Sequence, residues 1–233
     1  MHRKVIILII LMFITSYIYA QTKAFQFGFK LAPNIGWIKP DATDYERTGT
    51  KLGFNWGFTG EVYLMENYAL NTGFNVIYLN GAYKYPHLMK LSDDDPAEIE
   101  GELERDLRTQ YLQIPLILKM KTNDFGGYRV YGQVGFGLGF LLRAKADEMF
   151  LPTSGSIREE EKIDVKKELR GTRESLIIGA GIEIPIGGST FITAGLLFDN
   201  NFIDILKDQN KLNPSVENNG ISNFLELKVG LMF

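Results

Sequence analysis

Hydrophobic and polar residues alternate with a period of two through most of this chain. The clearest stretch is Leu52–Met65 (LGFNWGFTGEVYLM). Leu52, Phe54, Trp56, Phe58, Val62 and Leu64 share one parity; Gly53, Asn55, Gly57, Thr59 and Glu61 share the other. Alternation over this length predicts a strand whose two faces meet different surroundings. The same pattern predicts strands over Phe25–Trp37, Ala69–Tyr83, Tyr111–Lys121 and Tyr128–Lys145. It recurs over Ser175–Ile186, Thr190–Asn200 and the closing Leu225–Phe233. Ile117 departs from it, an apolar residue on an otherwise polar face.

Eight such segments of about ten residues suit a closed membrane barrel, in which about ten residues per strand cross the hydrocarbon. The fold class expected is all-β: an eight-stranded antiparallel up-and-down transmembrane β-barrel. Soluble sandwiches and lipocalin-like barrels also alternate, but three features disfavour them. The large residues lie on one face and the glycines and charges on the other, opposite to what an apolar interior needs. Glycines recur on the presumed inner face (Gly135, Gly137, Gly139; Gly179, Gly181), which would underfill a soluble core but leaves room for long charged side chains.

The third feature is the connections, which alternate short and long. Glu66–Tyr68, Thr122–Gly127 and Gly187–Ser189 are short. Ile38–Lys51, Tyr85–Arg108, Asp147–Thr172 and roughly Asn201–Gly220 are long. Outer-membrane barrels have short periplasmic turns and longer extracellular loops. Both ends of the barrel are therefore expected on the periplasmic side.

Met1–Ala20 reads as a cleaved secretory signal peptide: His2, Arg3 and Lys4, then the apolar run Val5–Ile14, then a small residue before Gln21. Residues 21–233 are then the barrel domain. Loss of Arg3 and Lys4 takes the formal charge from -3 to -5. No later apolar run is long enough for a membrane helix, so a membrane-spanning reading requires a closed barrel. Composition adds exclusions. The absence of cysteine excludes disulfides, thiolate metal sites and a cysteine nucleophile. The acidic balance argues against nucleic acid as a partner. A mean hydropathy of -0.06 and 45% hydrophobic residues describe an ordinary soluble protein on average. The ordering assigns that hydrophobic content to a lipid-facing coat rather than a buried core.

The long connections are polar. Tyr85–Arg108 carries eight acidic and three basic residues. Asp93–Asp95 could take a divalent cation, but the spacing matches no known calcium loop, so a solvated acidic loop is expected. Arg158–Arg170 has Glu and Lys at helical spacing and predicts a short exposed helix. Charges expected to face inward are Lys30, Glu61, Lys119, Arg129, Arg143, Glu183, Glu226 and Lys228. An eight-stranded barrel is just wide enough for side chains to fill. Buried charges must pair, so these eight are expected to form an ion-pair network that plugs the lumen. Pro115 falls mid-strand and predicts a lost ladder bond or a bulge. His87 is expected to be exposed at the start of a loop. No catalytic pair, phosphate-binding glycine loop or metal-ligand spacing is present, so neither enzymatic activity nor a cofactor is expected.

Several segments together resemble the PorT-family outer-membrane β-barrel proteins of Gram-negative bacteria. They are Gly28–Asn34 (GFKLAPN), Tyr111–Leu118 (YLQIPLIL), Val130–Phe140 (VYGQVGFGLGF), Gly179–Pro185 (GAGIEIP) and Leu225–Phe233 (LELKVGLMF). The resemblance implies an eight-stranded barrel, residence in the outer membrane, and Pro115 as a family feature. The terminal Phe233 is similar to the signal that the barrel-assembly machinery recognises. Outer-membrane lipid, that machinery, and envelope or secretion-system proteins are the partners implied. The function expected is a non-enzymatic scaffold with polar extracellular loops. The alternatives are an accessory part of a type IX secretion or gliding machinery, and a small ion or solute channel.

Overall fold

The computed structural model describes residues 25–90, 97–207 and 209–233. The expected signal peptide Met1–Ala20 and the Asp93–Asp95 run lie outside these residues. Nine strands follow in order: β1 (Phe25–Pro40), β2 (Glu46–Met65), β3 (Tyr68–Met89), β4 (Ile99–Lys121), β5 (Arg129–Pro152), β6 (Arg158–Asp164), β7 (Thr172–Gly187), β8 (Thr190–Asn201) and β9 (Gly220–Met232). All pairings are antiparallel, and β1 pairs with both β2 and β9. Eight strands thus close into a ring, and β6 is attached outside it along β5. The fold is the all-β eight-stranded up-and-down barrel. Closure leaves the ring without an edge, which lets a sheet sit in hydrocarbon with its backbone satisfied.

Strand β4 shows how one alternation builds two different regions. Its odd residues face inward along all 23 positions and its even residues outward. From Leu112 to Met120 the even residues are Leu112, Ile114, Leu116, Leu118 and Met120, and the inward ones include Gln113 and Lys119. From Glu100 to Arg108 the even residues are Glu100, Glu102, Glu104, Asp106 and Arg108, and the inward ones include Leu103 and Leu107, both buried. Polarity inverts near Gln110 with no change of phase. The nine residues with an apolar outer face match the roughly 9–11 that a tilted strand needs to cross a bilayer. The remainder stands outside the membrane as a barrel of ordinary soluble polarity.

That outer region has its own apolar core, built of Ile38, Tyr83, Leu103, Leu107, Phe150 and Phe224 with their neighbours. The segment after β8 folds over it and buries Ile205 and Leu206. This corrects the reading of the long connections as solvated loops. β3 runs on to Met89 and β4 begins at Ile99, so the acidic stretch is mostly hairpin. From Glu100 to Asp106 the acids take the outward positions, while Leu103 and Leu107 lie inward together with Arg105. The hydrophobic content is therefore not all lipid-facing coat; part of it is a true core.

One further expectation changes, and of the two alternatives for Pro115 the structure shows the lost ladder bond. Arg158–Arg170 is not a helix but strand β6 followed by a single 3-10 turn, Lys166–Glu168. β7 pairs with β5 only as far as Phe140, and β6 pairs with the exposed backbone edge of Lys145–Phe150 beyond it. Pro115 causes no bulge. It keeps register with Gly137 of β5, while on the β3 side the pairing breaks between Asn75–Gln113 and Thr72–Leu116. Gly73 lies in that break at φ 142°, a conformation glycine adopts readily. The missing N–H is thus accommodated by a local gap in one ladder.

Candidate functional site

The lumen holds three layers of buried polar side chains. Nearest the short turns, the Lys119 ammonium donates to Glu61 at 2.6 Å and pairs with Glu183. Lys121 meets the same two carboxylates at 3.3 and 3.1 Å. This quartet is charge-neutral and ties β2, β4 and β7 across the lumen. In the middle, Lys30 pairs with Glu226 at 2.8 Å, and Asn55 donates to the other Glu226 oxygen at 2.5 Å. Toward the outer region, Arg173 donates to Asp199 at 2.6 Å and to the Ser222 carbonyl at 2.9 Å, while Gln113 donates to Asp199 at 2.8 Å. A void of about 20 Å³ lies between the middle and outer layers, lined by Lys30, Gln113 and Glu226. Glycine makes room for the packing: Gly181 and Gly195 are register partners, and a Cβ on either would lie 2.6 Å from the Tyr131 hydroxyl.

Of the eight charges expected in the lumen, Lys30, Glu61, Lys119, Glu183, Glu226 and Lys228 are buried there. Lys228 has no ion pair among the described residues and lies 5.8 Å from the Tyr131 ring centroid. Arg129 is exposed and lines an open vestibule of about 700 Å³ at the short-turn end. Arg143 is exposed on the outside of the barrel. A bulge explains it: Gln110 pairs with Arg143 but Tyr111 pairs with Leu141, so Leu142 is an extra residue. Beyond it β5 changes phase, turning Arg143 and Lys145 outward and Ala144, Ala146 and Phe150 inward. Sequence reasoning omitted Lys121, Arg173 and Asp199 from the network. The parity of Lys121 and Asp199 marked them as inward, whereas Arg173 stood at the edge of a presumed loop.

A second candidate lies in the outer region, where a cleft of about 340 Å³ opens between the barrel mouth and the 202–219 segment. Its wall is a stack of three tyrosines. Tyr45 and Tyr85 lie 4.7 Å apart and nearly parallel, and Tyr83 stacks on Tyr85 at 5.7 Å. Register places them: Tyr83, Tyr85 and His87 are successive inward positions of β3. Arg105, inward from β4, pairs with Glu148 and at 2.7 Å with Glu168. Asn210 donates to the Pro86 carbonyl at 2.9 Å and to the Tyr45 hydroxyl at 3.1 Å, tying the 202–219 segment to the barrel.

Burial governs ionisation in this cleft. It pushes the Tyr45 hydroxyl up to about 12, against the bond from Asn210. It also raises the Glu148 carboxyl, although Arg105 pulls the other way. His87 is pushed down to about 4 by burial, helped by Lys211 and Arg105, so its imidazole is neutral near pH 7. His87 is therefore a half-buried strand residue rather than an exposed loop residue. Among the described residues no group of three or more His, Cys, Asp or Glu could hold a metal ion.

A ring of eight antiparallel strands with an apolar belt, a filled polar lumen and short turns at one end defines an outer-membrane β-barrel. The chain belongs to the outer membrane protein beta-barrel domain family, whose model matches residues 19–231. Membership makes it an outer-membrane protein. Among solved structures it is similar to neisserial surface protein A, at 13% identity and a TM-score of 0.49, covering 91% of this chain and 98% of that one. It is also similar to OprG from Pseudomonas aeruginosa, at 11% identity and a TM-score of 0.41, covering 91% and 97%. Ail, the attachment invasion locus protein of Yersinia pestis, is similar at 12% identity and a TM-score of 0.37, covering 91% and 100%. No curated protein matches the chain at a significant level.

Proposed function

We propose that this protein is a non-enzymatic, non-conducting scaffold of the outer membrane that binds molecules at its long-loop end. The filled lumen carries this reading. Three layers of charges and amides cross it, and the void of about 20 Å³ between the middle and outer layers has room for about one water and not for a solute. Conducting porins need about 16 strands to open an aqueous channel. The remaining exposed features are then the ends. The long-loop end, extracellular by the rule of turn lengths, presents a shaped cleft on a rigid core.

Planar-bilayer recording of the purified barrel tests this. The expected record is a silent membrane; steady single-channel steps from the wild type would overturn the reading in favour of a channel. The expected signal peptide and the terminal Phe233 belong to its biogenesis. Phe233 pairs its backbone with Phe27 at the β1–β9 seam, and the two rings lie 5.9 Å apart. We take it as the assembly signal at the point where the barrel closes.

A second reading, an accessory part of a type IX secretion or gliding machinery, draws on the PorT-family resemblance of Tyr111–Leu118. Deleting the gene and profiling secreted proteins separates the two. An unchanged profile rejects the machinery reading.

A further inference from the structure

The outer cleft has an unbalanced set of polar groups, and the imbalance points to a class of occupant. Two of its three amides are already engaged; the third, Gln209, is exposed. Asn210 donates to Pro86 and Tyr45, and its oxygen accepts from Leu212 and Asn213. Asn218 accepts from Tyr45 and donates to the Lys207 carbonyl. Both wall carboxylates, Glu148 and Glu168, are engaged by Arg105. The capacity left over is cationic and rich in donors. Arg105 Nε, the Nδ1 of the neutral His87 and Glu148 Oε1 are buried without a hydrogen-bond partner, the last of them within its ion pair to Arg105. Lys207 and Lys211 line the cleft, and neither has an ion pair among the described residues. The same cleft is lined by Tyr45, Tyr83 and Tyr85 with Met89, Ile163 and Leu206; Tyr45 and Tyr85 keep 9% and 6% of their surface exposed and Tyr83 only 1%.

A neutral sugar would find Gln209 alone free among the cleft's amides and would leave the lysine charges unmatched. A bare inorganic anion would satisfy the lysines and leave the aromatic wall wet. A flat acid satisfies both sides at once: ring on tyrosine, carboxylate on ammonium. We propose that the cleft binds a small planar organic carboxylate, its ring against the tyrosine wall and its carboxylate held by Lys207 and Lys211. At about 340 Å³ the cleft stands at the small end of ligand pockets, which run from roughly 300 to 1,000 Å³. It suits an acid of one or two rings. The inference rests on the long-loop end being the binding end. Its failure is separable from failure of the scaffold reading, which bilayer conductance decides.

The test is calorimetric titration of the full barrel in lipid nanodiscs. The probes are benzoate, 2-naphthoate, their methyl esters, glucose and inorganic phosphate. At least one acid should bind at least tenfold more tightly than its own ester, with no measurable binding of glucose or phosphate. The Lys207→Met/Lys211→Met variant should lose at least tenfold in affinity for that acid and leave its ester unchanged. Both lysines are exposed, so the variant should keep the folded mobility of the barrel on unheated gels. Equal binding of acid and ester would overturn the proposal. So would an affinity indifferent to the two lysines, binding of glucose or phosphate, or no binding of any acid to a folded barrel.

Discussion

The two halves of this barrel are built from the same strands and have opposite polarity. In the membrane half Leu112, Ile114 and Leu116 face lipid while Lys119 is sealed inside. In the outer half of the same strand Glu102, Glu104 and Asp106 face water while Leu103 and Leu107 form the core. The phase of a strand fixes which residues share a face. The medium on each side decides the chemistry that face must have. A barrel rising out of a bilayer meets lipid below and water above, so its composition inverts where the medium changes.

The largest effect should come from breaking the lumenal quartet. Lys119→Met leaves Glu61 and Glu183 facing Lys121 alone, and removing one partner of a buried pair costs about 3–5 kcal/mol. Urea unfolding in detergent should register this. The double variant Glu61→Gln/Lys119→Met should recover part of the loss, because it restores charge balance. An unchanged midpoint for Lys119→Met would mean that the polar layers do not hold the membrane half.

Leu107→Ala tests the other half, where the core should behave like that of a soluble protein. A cavity there should cost about 2–5 kcal/mol. Proteolysis should show the added susceptibility confined to the segments outside the membrane.

Charge placed on the common outer face of β4 sharpens the comparison further. Leu116→Arg should cost about 2–4 kcal/mol, the penalty for a cation at the lipid midplane. Glu104→Arg, on the same parity but in water, should stay within about 0.5 kcal/mol. Equal costs at the two positions would place the membrane boundary elsewhere.

The smallest effect concerns pH. His87 is held down to about 4, whereas an unfolded chain takes the proton near 6.5. Its contribution to stability should be fully present above pH 6.5 and lost as the pH falls toward 4. His87→Gln should remove that part of the acid sensitivity. Unfolding midpoints measured at pH 7 and pH 4.5 for both proteins would show it.

The membrane half was legible in the sequence because lipid enforces a strict pattern. Leu52–Met65 and Tyr111–Lys121 fall inside β2 and β4, and the glycines of the inner face lie beside the bulky side chains they admit. The outer half was not, for a physical reason. Glu100–Asp106 alternates just as strictly, but its water-facing acids dominate the local composition and resemble a solvated loop. Arg143 was misplaced because parity cannot be counted through a bulge that leaves no mark in the residue types. The cleft depends on the 202–219 segment folding back over the mouth, and no local pattern encodes a contact between Asn210 and Pro86. Only His87 among its residues stood out, and its neighbours were needed to show that it is half-buried.

The extra residue at Leu142 bears on how this protein can change length. Each side chain beyond it owes its face to a count, so inserting or deleting two residues on the outer stretch of β5 would leave every face as it was. A change of one would exchange them, exposing Phe150 and burying Lys145. Because a bulge is itself a change of one, deleting Leu142 would straighten the strand and leave Ala144–Phe150 on the faces they now occupy, in regular alternation with Leu141. Among homologues, length differences across this stretch should therefore come in even steps, with odd steps found only where a bulge appears or disappears alongside them.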